Sequence, residues 1–218
     1  MKRTTLIFDM DGTLLDSLDG LLASTNAALT ACGYPTRTYE EVRAFVGNGI
    51  GKLIERALPA DAEEGAYEKC LAAFKEDYQT AIMDGTRPYP GILQLLETVQ
   101  KEGYAVAVVS NKIESAVKEL SDHFFGDLMP VAIGEREGTA RKPAPDSVYA
   151  ALAALGQDKE SAVYIGDSEV DLQTAKNSGL PCLSVDWGNR SAEQLRQFGA
   201  TSISHTAEEL LEAIHQLS

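Results

Sequence analysis

The fold is decided by the stretch Thr5-Leu6-Ile7-Phe8-Asp9-Met10-Asp11-Gly12-Thr13. Its first four residues are nearly all apolar and favour extended chain, so they predict a strand that is buried on both faces. Two carboxylates follow at a spacing of i, i+2, which places the side chains of Asp9 and Asp11 on the same face of extended chain. The regular structure therefore begins with a buried strand that ends in an acidic pair.

Runs similar to the first strand occur later in the chain, and helical patterns separate them. Buried strands that alternate with helices are typical of a parallel α/β sheet with right-handed crossovers. We therefore predict an α/β fold. After Thr5–Phe8, its predicted strands are Ala105–Val109, Met129–Ile133, Ala162–Ile165 and Cys182–Val185.

The interval between the first two predicted strands contains helical patterns and no good strand pattern. A T-x-x-E capping box at Thr38 and Glu41 predicts one helix start, and the turn-rich stretch Asp84–Gly91 closes the interval. We predict that residues 16–86 form an inserted helical domain and that residues 1–15 and 87–218 form the α/β domain. A second T-x-x-E pattern, Thr206 to Glu209, predicts the start of the last helix.

Composition limits the partners and the compartment of this 218-residue chain. The net charge of −14 argues against a nucleic-acid or anionic-membrane partner, because both require a basic face. The longest apolar run, Val148–Leu155, is too short to span a membrane. Met1–Thr4 has basic residues but no sufficiently long apolar stretch, so we expect no signal peptide. The three cysteines are far apart and form no CxxC pair, which predicts free thiols in a reducing compartment. We expect a cytoplasmic monomer or weak homodimer.

Polar residues lie at or soon after the ends of four predicted strands. Ligands of open α/β sheets bind beyond the carboxyl ends of the strands, so we expect these residues to converge. None of the three histidines follows a predicted strand, which argues against a serine nucleophile activated by histidine. The converging residues are Asp9 and Asp11, then Ser110-Asn111-Lys112, then Lys142, then Asp167 through Asp171.

The acidic pair is suited to acid–base chemistry beside a nucleophile. Two adjacent carboxylates repel each other, so one tends to remain protonated while the other is an anion. If the anion attacks a phosphate, a cation must neutralise the like charges. Candidates are Mg²⁺ held by Asp9 and Asp167, and the ammonium of Lys142. Taken singly, each residue also has a structural interpretation: Ser110 as a helix cap, Lys142 as a solvated charge, and Asp171 as a first-turn helix charge.

Taken together, these residues resemble the four motifs of the haloacid dehalogenase superfamily of phosphatases, in the same order. The resemblance implies a Rossmann-like parallel sheet core with an inserted helical cap domain. Further stretches resemble the phosphoglycolate phosphatase branch of that superfamily. They are Asp16-Ser17, Val46-Gly47-Asn48-Gly49, Ser110-Asn111-Lys112 and Lys142-Pro143-Ala144-Pro145.

The resemblance also implies a role for each matching residue. Asp9 is the expected nucleophile, and Asp11 the expected acid for the leaving alcohol and base for the attacking water. Mg²⁺ is expected on Asp9, the backbone carbonyl of Asp11, and Asp167, with Asp171 acting behind these ligands or through water. Ser110 and Lys142 are expected to bind the phosphoryl group. The candidate substrate-binding residues also include Asn111, Gly47, Asn48 and Gly49.

The leading hypothesis is a Mg²⁺-dependent phosphomonoester hydrolase that forms an aspartyl-phosphate and acts on a small phosphorylated metabolite, with 2-phosphoglycolate as the best guess. Other enzymes of the same fold are alternatives: a sugar-phosphate mutase similar to β-phosphoglucomutase, a pyrophosphatase or a nucleotidase. A receiver-like signalling module with a phosphorylated aspartate is a non-enzymatic alternative. In the predicted cap, Gly47–Gly51 lies near Arg43, Lys52 and Arg56 and is interpreted either as a contact for an anionic substrate or as a plain helix-connecting turn.

Overall fold

The computed structural model describes residues 4–217, and these divide into two compact units. One unit combines the chain up to Leu15 with the chain from Pro88 onward, and the other is Asp16–Arg87. The prediction about a signal peptide concerns Met1–Thr4 and falls largely outside the described residues. Within the described part of the chain, no helix is both long and apolar enough to cross a membrane.

Strands and helices alternate through most of the described chain. In chain order the strands are β1 Thr5–Phe8, β2 Leu15–Asp16, β3 Arg87–Pro88, β4 Ala105–Ile113, β5 Val131–Glu135, β6 Ala162–Gly166, β7 Cys182–Val185 and β8 Ile203–Ser204. The helices are α1 Leu18–Ala31, α2 Tyr39–Phe45, α3 Gly49–Ala57, α4 Ala66–Ala81, α5 Ile92–Lys101, α6 Glu114–Phe124, α7 Asp146–Leu155, α8 Glu169–Ser178, α9 Ala192–Gln197 and α10 Ala207–Gln216.

The first unit is built on a six-stranded sheet with the order β5-β4-β1-β6-β7-β8 and parallel neighbours. All residues of β1 and β6 are buried, as expected for strands covered on both faces. The prediction of an α/β fold with a Rossmann-like parallel sheet is confirmed. The chain builds outward from β1 on one side and then continues on its other side. A ligand crevice is expected at such a switch point, beyond the carboxyl end of β1.

Short strands were not predicted, and some boundaries differ. The prediction of no strand between Phe8 and Ala105 is wrong, because β2 and β3 lie there and pair as a two-stranded sheet. Strand β8 was also missed. Each of these strands has two residues, too few to show a periodic pattern. The strand predicted from Met129 begins at Val131 instead.

Strand β4 contains an irregularity that shapes the site. Its register with β5 pairs Val109 with Ile133 but Ile113 with Glu135, so residues 110–112 lie opposite Gly134 alone. A Cβ atom at Gly134 would lie 2.4 Å from the Glu114 Cα, so only glycine fits there without a shift of backbone. The strand predicted to end at Val109 extends to Ile113, so Ser110-Asn111-Lys112 form a bulge within its last residues.

The second unit consists mainly of helices α1 to α4. The predicted capping box is confirmed, since Thr38 Oγ1 accepts from the Glu41 N–H and the Glu41 carboxylate accepts from the Thr38 N–H. Buried side chains such as Phe74 and Tyr78, whose rings stack at 5.2 Å, form its core. The chain's three cysteines are free, as predicted.

The structure differs from two predictions near the end of the chain. Thr206 Oγ1 accepts from the Glu209 N–H, but the Glu209 carboxylate accepts from the His205 N–H, so only half of the predicted capping box forms. His205 directly follows β8, which contradicts the expectation that no histidine follows a strand. Its Nδ1 lies 2.7 Å from Asp186 Oδ2, and three strands separate β8 from the strand of Ser110.

Candidate active site

A buried lysine lies between two aspartates beyond the end of β1. Lys142 Nζ donates to Asp9 Oδ1 at 2.7 Å, to Asp171 Oδ1 at 2.9 Å and to the Tyr164 hydroxyl at 3.0 Å. The interpretation of Lys142 as a solvated charge is therefore wrong, since its side chain is only 3% exposed. The ammonium is fixed by three partners that come from separate parts of the chain.

Asp171 accepts hydrogen bonds with both carboxylate oxygens. Oδ1 accepts from Lys142 Nζ and from the Tyr164 hydroxyl, while Oδ2 accepts from the backbone N–H and Oγ of Ser168. Asp171 is thus a first-turn carboxylate of α8 and also a partner of the buried lysine. The two interpretations of Asp171, as a helix charge and as a site residue, are compatible.

The loop after β7 packs on the third aspartate. The Asn189 N–H donates to Asp167 Oδ2 at 2.6 Å, and Thr13 Oγ1 donates to Asp167 Oδ1 at 3.4 Å. The Asn189 side chain also donates a long hydrogen bond of 3.5 Å to the backbone carbonyl of Asp11. Gly188 approaches closely, because a Cβ atom there would lie 2.1 Å from the Gly12 carbonyl oxygen.

Substitution of Gly188 with alanine is expected to disturb this loop. The added methyl group would also lie 2.4 Å from Asp167 Oδ2, so either the loop or the carboxylate must move. We expect a loss of about 1–3 kcal/mol in the free energy of unfolding. For the phosphatase activity that the sequence predicts, we expect a fall in turnover of about tenfold or more, because the predicted metal ligand Asp167 would be misplaced. Urea titration and phosphate release measure the two effects.

A matched control for Gly188 is Gly199, which has a positive φ of 98° and no atom within 4 Å of an added Cβ. Gly199→Ala is expected to lose stability through backbone strain and to keep its turnover. Full turnover in Gly188→Ala would contradict the close packing of this loop on the site.

Asp11, the second residue of the acidic pair, faces a different lysine. Lys112 Nζ lies 3.1 Å from Asp11 Oδ1, and the lysine side chain is 5% exposed whereas that of Asp11 is 23% exposed. Each carboxylate of the pair therefore has its own ammonium, Lys142 for Asp9 and Lys112 for Asp11. Asp11 is the more exposed carboxylate of the pair, at 23% against 11% for Asp9.

The bulge in β4 connects the remaining predicted residues to these lysines. Ser110 Oγ accepts from the Lys112 N–H at 3.1 Å. The Asn111 side chain donates to the Lys142 carbonyl oxygen at 3.0 Å and accepts from the Lys142 N–H at 2.8 Å. The two-way amide contact fixes the backbone of Lys142 against β4, so Asn111 holds the lysine in place.

Burial and repulsion shift the pKa values of the buried groups. Burial raises the pKa of Asp9 well above its usual range, and the carboxylate of Asp171 adds to the rise while Lys142 opposes it. Burial, with the charge of Asp171, raises the pKa of Asp167 to about 7. Burial lowers the pKa of Lys142, but the carboxylates of Asp171 and Asp9 outweigh that effect and raise it. The site therefore has excess negative charge and a firmly protonated lysine.

The excess negative charge fits a divalent cation. Asp9, Asp167 and Asp171 each offer a carboxylate oxygen, and the three oxygens lie within 4.8 Å of one another. If all three were ionised, their charge would exceed that of the one ammonium, Lys142, by about −2, and a divalent cation would balance it; oxygen-only donors suit Mg²⁺. The backbone carbonyl of Asp11 adds another oxygen, held by Asn189.

The predicted substrate-binding residues Gly47, Asn48 and Gly49 lie in the second unit, at the turn from α2 into α3, whose first residue is Gly49. Arg56 holds this turn, since it donates to the Phe45 carbonyl oxygen at 2.7 Å and to Asn48 Oδ1 at 2.9 Å. Lys52 pairs with Glu55. Gly47 and Gly49 have positive φ values of 113° and 81°, which explains the glycines. Substrate binding by this turn stays a prediction.

Three residues near the site were not assigned a role from the sequence: Tyr164, Lys112 and Asn189. Tyr164 lies inside β6 and has the pattern of a core residue. Lys112 was grouped with Ser110, but its pairing with Asp11 depends on the bulge. Asn189 had a usable signal, because the residues after β7 follow a strand end like the others.

Comparison with known proteins identifies similar chains over nearly the whole length. The model of the haloacid dehalogenase-like hydrolase family matches residues 6–185. A phosphoglycolate phosphatase of Mesorhizobium japonicum is 33% identical over 210 residues, 94% of this chain and 92% of the relative. A phosphoglycolate phosphatase of Rhodobacter capsulatus is 34% identical over 189 residues, 85% of each chain.

Solved structures agree with this similarity. A crystal structure from Lactobacillus delbrueckii subsp. bulgaricus, provisionally described as a phosphoglycolate phosphatase, has a TM-score of 0.93 at 36% identity and covers 98% of this chain and 99% of its own. A second, from Clostridium acetobutylicum, has a TM-score of 0.88 at 24% identity, covers both chains fully and supports the fold alone.

Proposed function

We propose a specific activity for this chain, which belongs to the haloacid dehalogenase-like hydrolase family and is a phosphatase. The proposed reaction is Mg²⁺-dependent hydrolysis of a phosphomonoester through an aspartyl-phosphate on Asp9. The proposed substrate is 2-phosphoglycolate, which the names of its curated relatives support. The single observation that supports the proposal most strongly is the meeting of Asp9, Lys142 and Asp167 at one point of the sheet edge.

In the first step, a carboxylate oxygen of Asp9 attacks the phosphorus and the bond to the leaving oxygen breaks. Asp11 gives its proton to that oxygen, so an alcohol leaves rather than an alkoxide. Lys142 and the Ser110 hydroxyl hold phosphoryl oxygens and stabilise the charge that develops on them. Lys142 contacts Asp9 before the reaction, so it is already in place.

In the second step, water attacks the phosphorus and Asp11 takes its proton. The bond to Asp9 breaks, which restores the carboxylate and releases phosphate. Bound Mg²⁺ supplies positive charge that offsets the repulsion between phosphate and carboxylates, and Asp9, the Asp11 carbonyl and Asp167 would hold it. Asp171 positions Lys142 through the contact at 2.9 Å.

A screen of phosphorylated metabolites with Mg²⁺ tests the substrate. We expect phosphate release with the highest kcat/KM on 2-phosphoglycolate. Isomerised hexose phosphate without free phosphate would instead indicate a mutase; the second unit contains no histidine to assist such a transfer. Preference for pyrophosphate would indicate a pyrophosphatase, and preference for nucleoside monophosphates would indicate a nucleotidase. A long-lived phosphorylated aspartate without turnover would indicate a receiver-like module.

The second unit is proposed to be the cap domain that selects the substrate, within the domain boundaries 16–86 for the cap and 1–15 with 87–218 for the core. We further propose that the protein is a cytoplasmic monomer or weak homodimer without nucleic-acid or membrane partners. The net charge of −14 and the three free thiols support this placement.

Metal-free protein is expected to lose stability as pH rises through the range set by Asp167. Its pKa is about 7 in the folded state against a model value of 3.8, so the folded state binds more protons than the unfolded state between these values. At low pH the buried Asp167 carboxyl is neutral and does not destabilise the folded state. At high pH it is a buried anion that the carboxylate of Asp171 repels. Asp167 thus costs on the order of 4 kcal/mol at pH 8 without metal.

Asp167→Asn is the matched variant, because asparagine keeps the shape and does not titrate. The difference in free energy of unfolding between variant and wild type, from urea titration in EDTA, is expected to grow in favour of the variant from pH 4 to 7. At pH 8, Mg²⁺ at about a hundred times its Kd is expected to stabilise the wild type by about 3 kcal/mol and the variant much less. A constant difference across pH, or equal effects of Mg²⁺, would contradict the proposed ligand.

A further inference from the structure

The site contains two buried lysines, and each lies beside a different member of the acidic pair. Lys142 contacts Asp9, the proposed attacking group, and therefore lies on the phosphoryl side. Lys112 contacts Asp11, the proposed proton donor, and therefore lies on the side of the leaving alcohol. The catalytic steps above use Lys142 but require no second ammonium beside Asp11.

The backbone around Lys112 holds this residue in place. The bulge at residues 110–112 depends on Gly134, and the Lys112 N–H is bonded to Ser110 Oγ. Its side chain is almost fully buried, which is costly for a cation without anionic partners. Its carboxylate partner Asp11 is the more exposed of the two, so the pair opens toward solvent at Asp11.

We propose that Lys112 binds the carboxylate of an α-phosphohydroxy acid and makes the site selective for that substrate class. This inference rests on the proposed phosphatase function. In such a substrate the carboxylate is bonded to the carbon that bears the leaving oxygen, so its oxygens lie about 3 Å from that oxygen. A hydrogen bond from Asp11 Oδ1 to the leaving oxygen places Lys112 Nζ within about 6 Å of that oxygen, because Nζ is 3.1 Å from Oδ1.

An ammonium can serve several acceptors, as Lys142 does with Asp9, Asp171 and Tyr164 in this same site. Another cation near the strand ends, Arg190, makes a two-pronged ion pair with Glu169 at 2.8 and 3.1 Å. Among the described residues, the geometry therefore ties Lys112 to the leaving group, through its contact with Asp11. A substrate with no negative charge beyond its leaving oxygen would form no ion pair with Lys112.

The test compares 2-phosphoglycolate with its amide, 2-phosphoglycolamide, in the full-length protein with Mg²⁺. The ratio of the two kcat/KM values is measured for wild type and for Lys112→Met, which cancels the intrinsic reactivity of each ester. We expect the ratio to be about ten- to a hundredfold lower in Lys112→Met than in wild type, which corresponds to the loss of one charge-assisted hydrogen bond. The change is expected mainly as a higher KM for 2-phosphoglycolate. Lys112→Arg is expected to recover part of the ratio, and the exposed Lys118→Met to leave the ratio unchanged.

Several outcomes would overturn the proposal. An equal loss on both substrates would mean that Lys112 only positions Asp11. A preserved ratio in Lys112→Met together with a lost ratio in Arg43→Met would place carboxylate recognition in the second unit. A wild-type protein that releases no phosphate from either ester would refute the proposed function itself. The other outcomes all require an active wild type, so this result can be told apart from them.

A measurement on the wild type alone covers the case that Lys112→Met does not fold. Glycolate and glycolamide are compared as inhibitors of 2-phosphoglycolamide hydrolysis. We expect glycolate to have an inhibition constant at least about tenfold lower. Equal inhibition by the two would overturn the assignment of a carboxylate site.

Discussion

Replacement of Asp9 by asparagine is expected to lower phosphate release by at least about a thousandfold, because the amide cannot form the acyl-phosphate bond. The fold is expected to persist. The introduced amide would offer an oxygen to Lys142 Nζ in place of the carboxylate, and Asp171 still balances the ammonium. The measurement is kcat with saturating Mg²⁺ and 2-phosphoglycolate.

The control for this variant is a thermal unfolding curve in EDTA. Burial raises the pKa of Asp9, so the native carboxylate is itself unfavourable without metal, and its removal costs little stability. We expect melting temperatures within a few degrees of each other. Undiminished turnover in a well-folded Asp9→Asn protein would refute Asp9 as the nucleophile.

Replacement of Lys142 by methionine is expected to cost both stability and activity. Methionine fills similar volume but leaves Asp9, Asp167 and Asp171 together without their ammonium. Removal of one partner from a buried ionic cluster typically costs about 3–5 kcal/mol. Turnover is expected to fall by about a hundredfold or more, because the phosphoryl oxygens lose a preorganised cation.

The pH dependence of the Lys142→Met effect identifies its cause. The loss of stability without metal is expected to be larger at pH 8 than at pH 5, since the raised pKa values of Asp9 and Asp167 allow protonation at the lower pH. Lys101→Met removes an exposed lysine and is expected to change neither quantity. A loss that does not vary with pH would indicate poor packing instead of unbalanced charge.

The sequence predicts a strand well where a short buried run ends at a charged residue. Thr5–Phe8 and Cys182–Val185 match β1 and β7 at both ends. Each run is mostly apolar and is followed at once by an aspartate, Asp9 or Asp186, which marks its end. Two-residue strands such as β8 could not be predicted. Their pairing depends on neighbours far along the chain, not on local pattern.

The residues that follow the strands were also predictable in kind. A parallel sheet brings the carboxyl ends of its strands to one edge, which is why Asp9, Lys142 and Asp167 could be expected together. What each side chain contacts was not predictable. Substrate binding by Asn111 stays a prediction, and the contact of its amide with the backbone of Lys142 could not be read from the sequence.

The roles of Lys112 and Tyr164 depend on tertiary detail. Lys112 contacts Asp11 from within the bulge of β4, where the register with β5 changes by two residues. Tyr164 has the burial expected of a core strand, and the contacts of its hydroxyl with Lys142 and Asp171 connect it with the site. Neither the bulge nor the hydroxyl contact leaves a periodic signal in the sequence.

Trapping of the proposed acyl-phosphate tests the central claim most directly. The enzyme is mixed with 2-phosphoglycolate and Mg²⁺, quenched during turnover and treated with borohydride, which reduces an aspartyl-phosphate to homoserine. Peptide mass spectrometry is predicted to locate homoserine at position 9, only when both substrate and Mg²⁺ are present. Continued turnover with aspartate intact at position 9, or homoserine at another aspartate, would contradict the account.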